Sequence, residues 1–230
     1  GRPKDEYLAI AKELLEEAFK ERSEDDIRKL EGPELDQDQA VAMFKQFAQK
    51  NNLTEQVELK LSEKYLSKAS FYKNTFKLKL PIWHRQQEFL GTLYHELGTH
   101  ALRRLNYLEQ PFFNKKSQFD FHEYMFTEEG LASFHTLIAK NFKIDYTGAL
   151  NYVLCQVAQE NSFVKTFAFV NKYIDDEERC WNYTVRHKRG LYDTKKEGGF
   201  TKDIVYFEGL IQVWQYLVKN NYNIRPLYWG

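Results

Sequence analysis

Within Tyr94-His95-Glu96-Leu97-Gly98-Thr99-His100, two histidines bracket a short interval, and a glutamate directly follows the first. Imidazoles are good zinc ligands, and a carboxylate beside them can move protons for a metal-activated water. The common form of this arrangement is H-E-x-x-H, whose histidines, four apart, share one face of an α-helix. Here the interval is five. At about 100° per residue, four steps return a side chain to within roughly 40° of its start, whereas five leave it roughly 140° away. One wide turn with i→i+5 bonding would bring both imidazoles back to one side, and such π-bulges are frequent at functional sites. Gly98 lies inside the interval, where the lack of a Cβ tolerates a distorted backbone. The spacing predicts a metal helix with one extra residue.

Catalytic zinc sites usually present three protein ligands and leave one position to water. The candidates for the third are Glu128 and Glu129 in Thr127-Glu128-Glu129-Gly130-Leu131-Ala132. Thr127 is placed to cap a helix there, and acids in a first turn also suit the helix dipole without binding anything. Other histidines are expected to be structural: His84 before the metal helix, His122, and His135, which could support the site from behind a ligand. No serine or cysteine has the partners a nucleophile needs.

The elements that must hold these residues follow from periodicity. Helical spacing of apolar residues marks 5–21, 24–31 (ended by Gly32-Pro33) and 36–50 as packing helices. From Glu55 the period becomes two. Val57, Leu59 and Leu61 alternate with charged residues, as do Phe76, Leu78 and Leu80, and Lys73-Asn74 suits the tight turn of a hairpin over 70–80. A sheet beside the metal helix would offer an edge for an extended peptide. The metal helix is expected over 85–105, a loop over 106–118, and a helix from near Thr127. One or two buried helices are expected over 145–173, a solvated acidic helix start at 175–178, a basic loop over 186–199 and a helix over 201–219. There are no repeats and no evident linker, so 1–230 reads as one domain. Its parts are packing helices (1–52), a small β element (55–80) and a helical core carrying the metal site (85–230).

Composition narrows the class. A 230-residue chain with 43% hydrophobic and 29% charged residues is ordinary for a globular protein, and its 16% aromatic content points to an aromatic core or cleft. Zero formal net charge argues against nucleic acid or an anionic membrane as the main partner. The two cysteines form no C-x-x-C and no disulfide framework, and neither a membrane span nor a signal peptide is evident, so a cytoplasmic location is expected.

Three blocks, in order, carry a family resemblance. His95 to His100 with Arg103 or Arg104, Asn106 and Gln110-Pro111 resembles H-E-x-G-T-H…R…N…Q-P. Glu129-Gly130-Leu131-Ala132 resembles E-G-L-A. Gly199-Phe200-Thr201-Lys202-Asp203 with Tyr206 and Gly209-Leu210 resembles G-x-F-T-K-D-x-x-Y-x-x-G-L. Together they resemble the microtubule-associated tyrosine carboxypeptidase family and its bacterial relatives with a Q-E-G-L-A motif, over roughly 86–217. The resemblance implies a zinc metallocarboxypeptidase whose metal is held by His95, His100 and the glutamate before Gly-Leu-Ala, which is Glu129. It implies removal of a C-terminal, tyrosine-like residue from a protein tail such as that of α-tubulin. The corresponding fold is α+β, mainly α: gluzincin-like, with a distorted HExxxH helix and a small sheet beside it. Glu96 would be the general base and acid. A basic residue among Arg186, Lys188, Arg189 and Lys202 would bind the substrate carboxylate, with Lys202 and Arg189 favoured by the block, and Tyr192 or Tyr206 would donate to the carbonyl oxygen as it gains charge. The rivals are a zinc peptidase of other end-preference and a tubulin-binding module without turnover. Known family members extend further at both ends, so a catalytic fragment or a short bacterial form is expected.

Overall fold

The computed structural model describes residues 1–119, 121, 124–141 and 146–229; His122 lies outside them. Among the described residues the protein is mainly helical with one three-stranded sheet, an α+β fold. Among the described residues no helix is long and apolar enough to cross a membrane. Contacts divide the chain into two compact units, Gly1–Leu30 with Ile144–Glu208, and Glu31–Lys143 with Gly209–Gly230.

The first unit contains α1 (Asp5–Phe19), α2 (Glu24–Lys29), α7 (Tyr146–Glu160), α8 (Phe163–Val170) and α9 (Glu177–Lys188). Helix α1 packs on α7 through Leu8, Ala11 and Leu15. The Tyr152 hydroxyl accepts from the Lys4 amide (2.8 Å) and donates to Glu208 (2.6 Å), tying the N-terminus down. Glu24, 5% exposed at the start of α2, accepts from the Tyr146 hydroxyl and pairs with Arg179 of α9. Removing either partner would leave a buried charge, so this triad fixes α2 in place. Of the one or two helices expected over 145–173, the structure has two, α7 and α8, the second opened by a Ser162 cap.

The second unit carries α3 (Gln37–Lys50), β1 (Glu58–Ser62), β2 (Ala69–Tyr72), β3 (Thr75–Lys79), α4 (Gln86–His95), α5 (Leu102–Leu108) and α6 (Met125–Ala139). Helix α10 (Ile204–Lys219) begins in the first unit and finishes in the second. Strands β2 and β3 form the expected hairpin, with Lys73 in the left-handed region at φ 57°. Strand β1 joins β3 in parallel, so β3 is central and β2 is an edge. The period-two pattern turns Leu59, Leu61, Ala69, Phe71, Phe76 and Leu78 to one face, where they pack with Phe44, Phe47, Phe89 and Leu93 of α3 and α4. The lysines take the other face.

His84 is a buried histidine of this core, 3% exposed, edge-on to Phe89, with no hydrogen-bond partner for Nδ1. Burial disfavours its cation and lowers its pKa to about 4. An unfolded chain takes up that proton near pH 6.5, so the stability His84 contributes above that pH is lost as pH falls towards 4. We expect metal-free protein to lose about 2 kcal/mol from this group between pH 7 and 5. Urea unfolding with a chelator present should show that loss in wild type and a smaller one in His84→Leu. Parallel curves would contradict it.

Candidate metal centre

Helix α4 does not end at His95. The chain widens into one π-helical stretch, Glu96–Ala101, and then resumes as α5. Within it the Thr99 hydroxyl donates to the carbonyl of Tyr94, five residues back (3.1 Å), and the Gly98 carbonyl accepts from the Tyr228 hydroxyl (2.7 Å). Tyr228 closes a 3₁₀ turn, Arg225–Tyr228, and its own carbonyl accepts from Asn106 (3.1 Å). The extra residue is thus held by side chains as well as by backbone. Glycine is not what the wide turn demands: a Cβ on Gly98 would meet Tyr94 and Phe47 at 3.4 and 3.5 Å, ordinary contact distances.

The wide turn does what the spacing requires. The rings of His95 and His100 stand 5.1 Å apart, centroid to centroid. Their Nε2 atoms lie 3.6 and 3.5 Å from the same oxygen, Oε2 of Glu129. That oxygen is buried and has no hydrogen-bond partner. Three ligand atoms about 2.0–2.1 Å from a tetrahedral zinc sit roughly 3.3–3.4 Å from one another. The donor set and its spacing therefore fit the ion. His95, His100 and Glu129 form the one such group among the described residues, with all three ligand atoms within 4.8 Å.

The electrostatics are those of a cation site. Burial disfavours the cationic form of His100, but the hydrogen bond to Glu128 and the adjoining carboxylates of Glu129 and Glu96 override it and raise the pKa to about 10. Burial would likewise raise Glu129, yet the adjoining imidazoles of His100 and His95 hold it at about 2.

Glu128 faces a different atom from Glu129. Its Oε1 accepts from Nδ1 of His100 (2.8 Å), which leaves the His100 Nε2 lone pair free for a metal. Arg103, 3% exposed, lies close enough to balance the Glu128 charge. Carboxylates in this position typically contribute 10–100-fold to metal affinity. We expect Glu128→Ala to weaken zinc binding about tenfold or more. Glu128→Gln, whose amide oxygen can still accept from His100, should stay within about threefold of wild type. Competition against a chromophoric chelator measures both; wild-type affinity in Glu128→Ala would show that the contact is idle.

His135 packs behind the ligands. Burial lowers its pKa to about 4, and its Nδ1 lies 2.8 Å from the Thr99 hydroxyl. That hydroxyl spends its own proton on Tyr94, so the neutral imidazole is the donor. On the other histidine, Nδ1 of His95 is 3.4 Å from the Thr136 hydroxyl.

Glu129 is placed by a helix crossing. A Cβ on Gly130 would lie 2.2 Å from the backbone carbon of Gly209, and one on Gly209 would lie 2.2 Å from the Phe126 carbonyl oxygen. Helices α6 and α10 touch backbone to backbone at that point, one residue from Glu129. Leu131, Phe134, Val213 and Leu217 then close a small core around the crossing. Helix α6 starts at Met125, two residues earlier than the sequence suggests, and Tyr124 at its N-cap makes no side-chain bond. Thr127 is therefore inside the first turn and is not the cap.

Glu96 is not in the metal group. Its Oε2 accepts from the amide of Phe71 on the edge strand (2.8 Å). In an antiparallel pair with a two-residue turn, Phe71 and Phe76 form a non-hydrogen-bonded pair, so the Phe71 amide points away from β3. The sheet edge thereby fixes one carboxylate oxygen and leaves the other open.

The remaining candidates from the sequence belong to the first unit. Arg186 is in the last turn of α9, not in a loop, and makes a two-pronged contact to Asp203 at 2.5 and 3.0 Å. The Arg189 guanidinium lies 3.8 Å over the Phe200 ring. Lys202 is exposed just ahead of α10, Tyr206 lies in its first turn, and Tyr192 is fully exposed. Lys188, 1% exposed, donates to four carbonyls, those of Ala158, Asn161, Lys196 and Gly198, at 2.6–3.1 Å. Sequence reasoning missed the burial of Lys188, the part played by Tyr228 and the contact of Glu128 with His100. Nothing local marks the first two, whereas the pairing of a second acid with a ligand histidine is a pattern that could have been sought.

A family model described as microtubule-associated tyrosine carboxypeptidase matches residues 1–230. Microtubule-associated tyrosine carboxypeptidase 1 of Rattus norvegicus is 34% identical over 177 residues, which are 75% of this chain and 38% of that protein. The Homo sapiens protein of the same name is 33% identical over 177 residues, with the same coverage of both chains. The Mus musculus protein is 34% identical over 174 residues, 74% of this chain and 37% of its own. The chain thus spans less than two fifths of the length of these relatives.

Proposed function

The chain belongs to the microtubule-associated tyrosine carboxypeptidase family, and from that premise we propose that it is a zinc metallocarboxypeptidase. Residues 1–230 would form its catalytic domain, with a gluzincin-like arrangement of metal helix and sheet. It would remove a C-terminal residue, tyrosine-like in character, from a protein tail such as that of α-tubulin. The observation that carries this reading is the unpartnered Glu129 Oε2, 3.5–3.6 Å from Nε2 of both histidines, with Glu96 beside it and outside the ligand set.

His95, His100 and Glu129 would hold the zinc. When bound, it would lower the pKa of its water towards 7 and polarise the scissile carbonyl. The residues of the chain supply the rest. Glu96, with one oxygen fixed by the Phe71 amide, takes the proton of the attacking water with the other oxygen and returns it to the departing amine. Glu128 and Thr136 steady the ligand imidazoles. The outward-facing backbone groups of Ala69 and the Phe71 carbonyl can receive an extended chain, as sheet edges do. For the terminal carboxylate we favour Lys202 and Arg189, since Arg186 spends its fork on Asp203. Tyr206 or Tyr192 would donate to the carbonyl oxygen as it gains charge.

A pair of peptides ending in tyrosine, one with a free carboxylate and one amidated, tests the reading. A carboxypeptidase releases tyrosine from the first only. Equal cleavage of both would favour a peptidase of other end-preference.

A further inference from the structure

The outward face of the sheet carries charge that the fold does not need. Between Glu55 and Leu80 there are six lysines and three glutamates, a net charge of +3 in a chain whose formal net charge is zero. Lys77 and Lys79 stand on the central strand, with Lys60 beside Lys77 and Ser62 beside Lys79 on β1, and Ser70 beside Lys77 on β2. Lysines on edge strands prevent unwanted strand pairing, but a central strand has no edge to protect. Like charges side by side on one face weaken a sheet. Lys60 is offset by Glu58 (3.0 Å) and Lys68 by Glu88 (3.1 Å). Among the described residues Lys77 and Lys79 have no acidic partner; instead Lys77 lies 5.8 Å over Tyr65 and 5.6 Å over Tyr72, which is 62% exposed. An uncompensated cation over aromatic rings, Lys77, with a second, Lys79, on the same face suits an anionic chain with some apolar content.

Edge strand β2 ties this sheet to the candidate metal centre by giving its Phe71 amide to Glu96. A chain lying along that edge would turn alternate side chains towards Ser70, Tyr72 and the lysines behind them. We propose that the outer face of the sheet, centred on Lys77 and Lys79, is a docking surface for an acidic peptide segment, the stretch that precedes the residue to be released. The inference rests on the carboxypeptidase reading for its occupant, but its test does not.

The test uses the full chain, without added metal, and a fluorescent peptide of alternating glutamate and alanine whose C-terminus is amidated. Anisotropy is expected to show saturable binding that weakens as salt rises. Lys77→Gln with Lys79→Gln should weaken it about tenfold. Lys12→Gln with Lys20→Gln, exposed lysines in and just after α1, should leave it unchanged. The proposal is overturned if wild type shows no saturable binding, if the sheet variant binds like wild type, or if both variants weaken equally. Neither zinc nor turnover enters the measurement, so a failure of the enzymatic reading and a failure of the docking surface are seen separately.

Discussion

Gly130→Ala is expected to cost the protein its metal centre. By helix propensity alone the change should stabilise, since alanine is favoured over glycine by about 1 kcal/mol in a helix interior. Packing decides the sign. The new methyl would sit 2.2 Å from one backbone atom of Gly209 and 2.3 Å from another, and backbone cannot step aside as a flexible side chain can. Helices α6 and α10 must separate, opening the core formed by Leu131, Phe134, Val213 and Leu217. Overpacking of this kind typically costs 1–3 kcal/mol, and a clash with backbone belongs at or above the top of that range. Glu129 is the adjacent residue, so the same shift carries its carboxylate away from His95 and His100. We expect a Tm lower by several degrees, on the order of 5 °C or more, together with loss of stoichiometric zinc. Gly148→Ala in α7 is the control: the nearest atom to its added Cβ is 4.0 Å away, and it should be neutral or slightly stabilising. Equal behaviour of the two variants would remove the helix crossing from the account.

Glu96→Gln has the second large expected effect, and it separates chemistry from structure. Glutamine keeps an oxygen that can accept from the Phe71 amide, so the edge contact survives. It is outside the group of His95, His100 and Glu129, so zinc affinity should stay within about twofold of wild type. What is lost is the ability to take a proton from water and hand it on, worth roughly 10²–10⁴ in rate. We expect kcat to fall by at least that range while peptide binding persists. Near-normal turnover in Glu96→Gln would assign the base to another residue.

Much of this architecture could be read before any coordinates. The switch from a period of 3.6 to a period of two at Glu55 marked the sheet because only one face of each strand meets the core. The five-residue interval between His95 and His100 announced a π-helical stretch because geometry offers few other ways to aim both rings together. Gly98 tolerates the wide turn but its surroundings would also admit a Cβ, whereas Gly130 and Gly209, whose backbones touch, could not be paired without knowing that α6 and α10 cross. Thr127 looked like a cap because its type is right, but the chain enters α6 earlier, at Met125. The basic run from Arg186 read as loop because charge suggests solvent. In the structure Arg186 answers Asp203, and Lys188 is enclosed by four carbonyls. Tyr228, which holds the Gly98 carbonyl from 130 residues away, left no local trace at all. Short-range regularities were legible; contacts set by tertiary packing were not.

The most direct test is mass spectrometry of a peptide ending in Glu-Glu-Tyr, incubated with zinc-loaded wild type, zinc-loaded Glu96→Gln and chelated wild type. Loss of a single tyrosine in the first reaction alone is the predicted result. An intact peptide in all three, with zinc shown to be bound, would contradict carboxypeptidase chemistry at His95, His100 and Glu129.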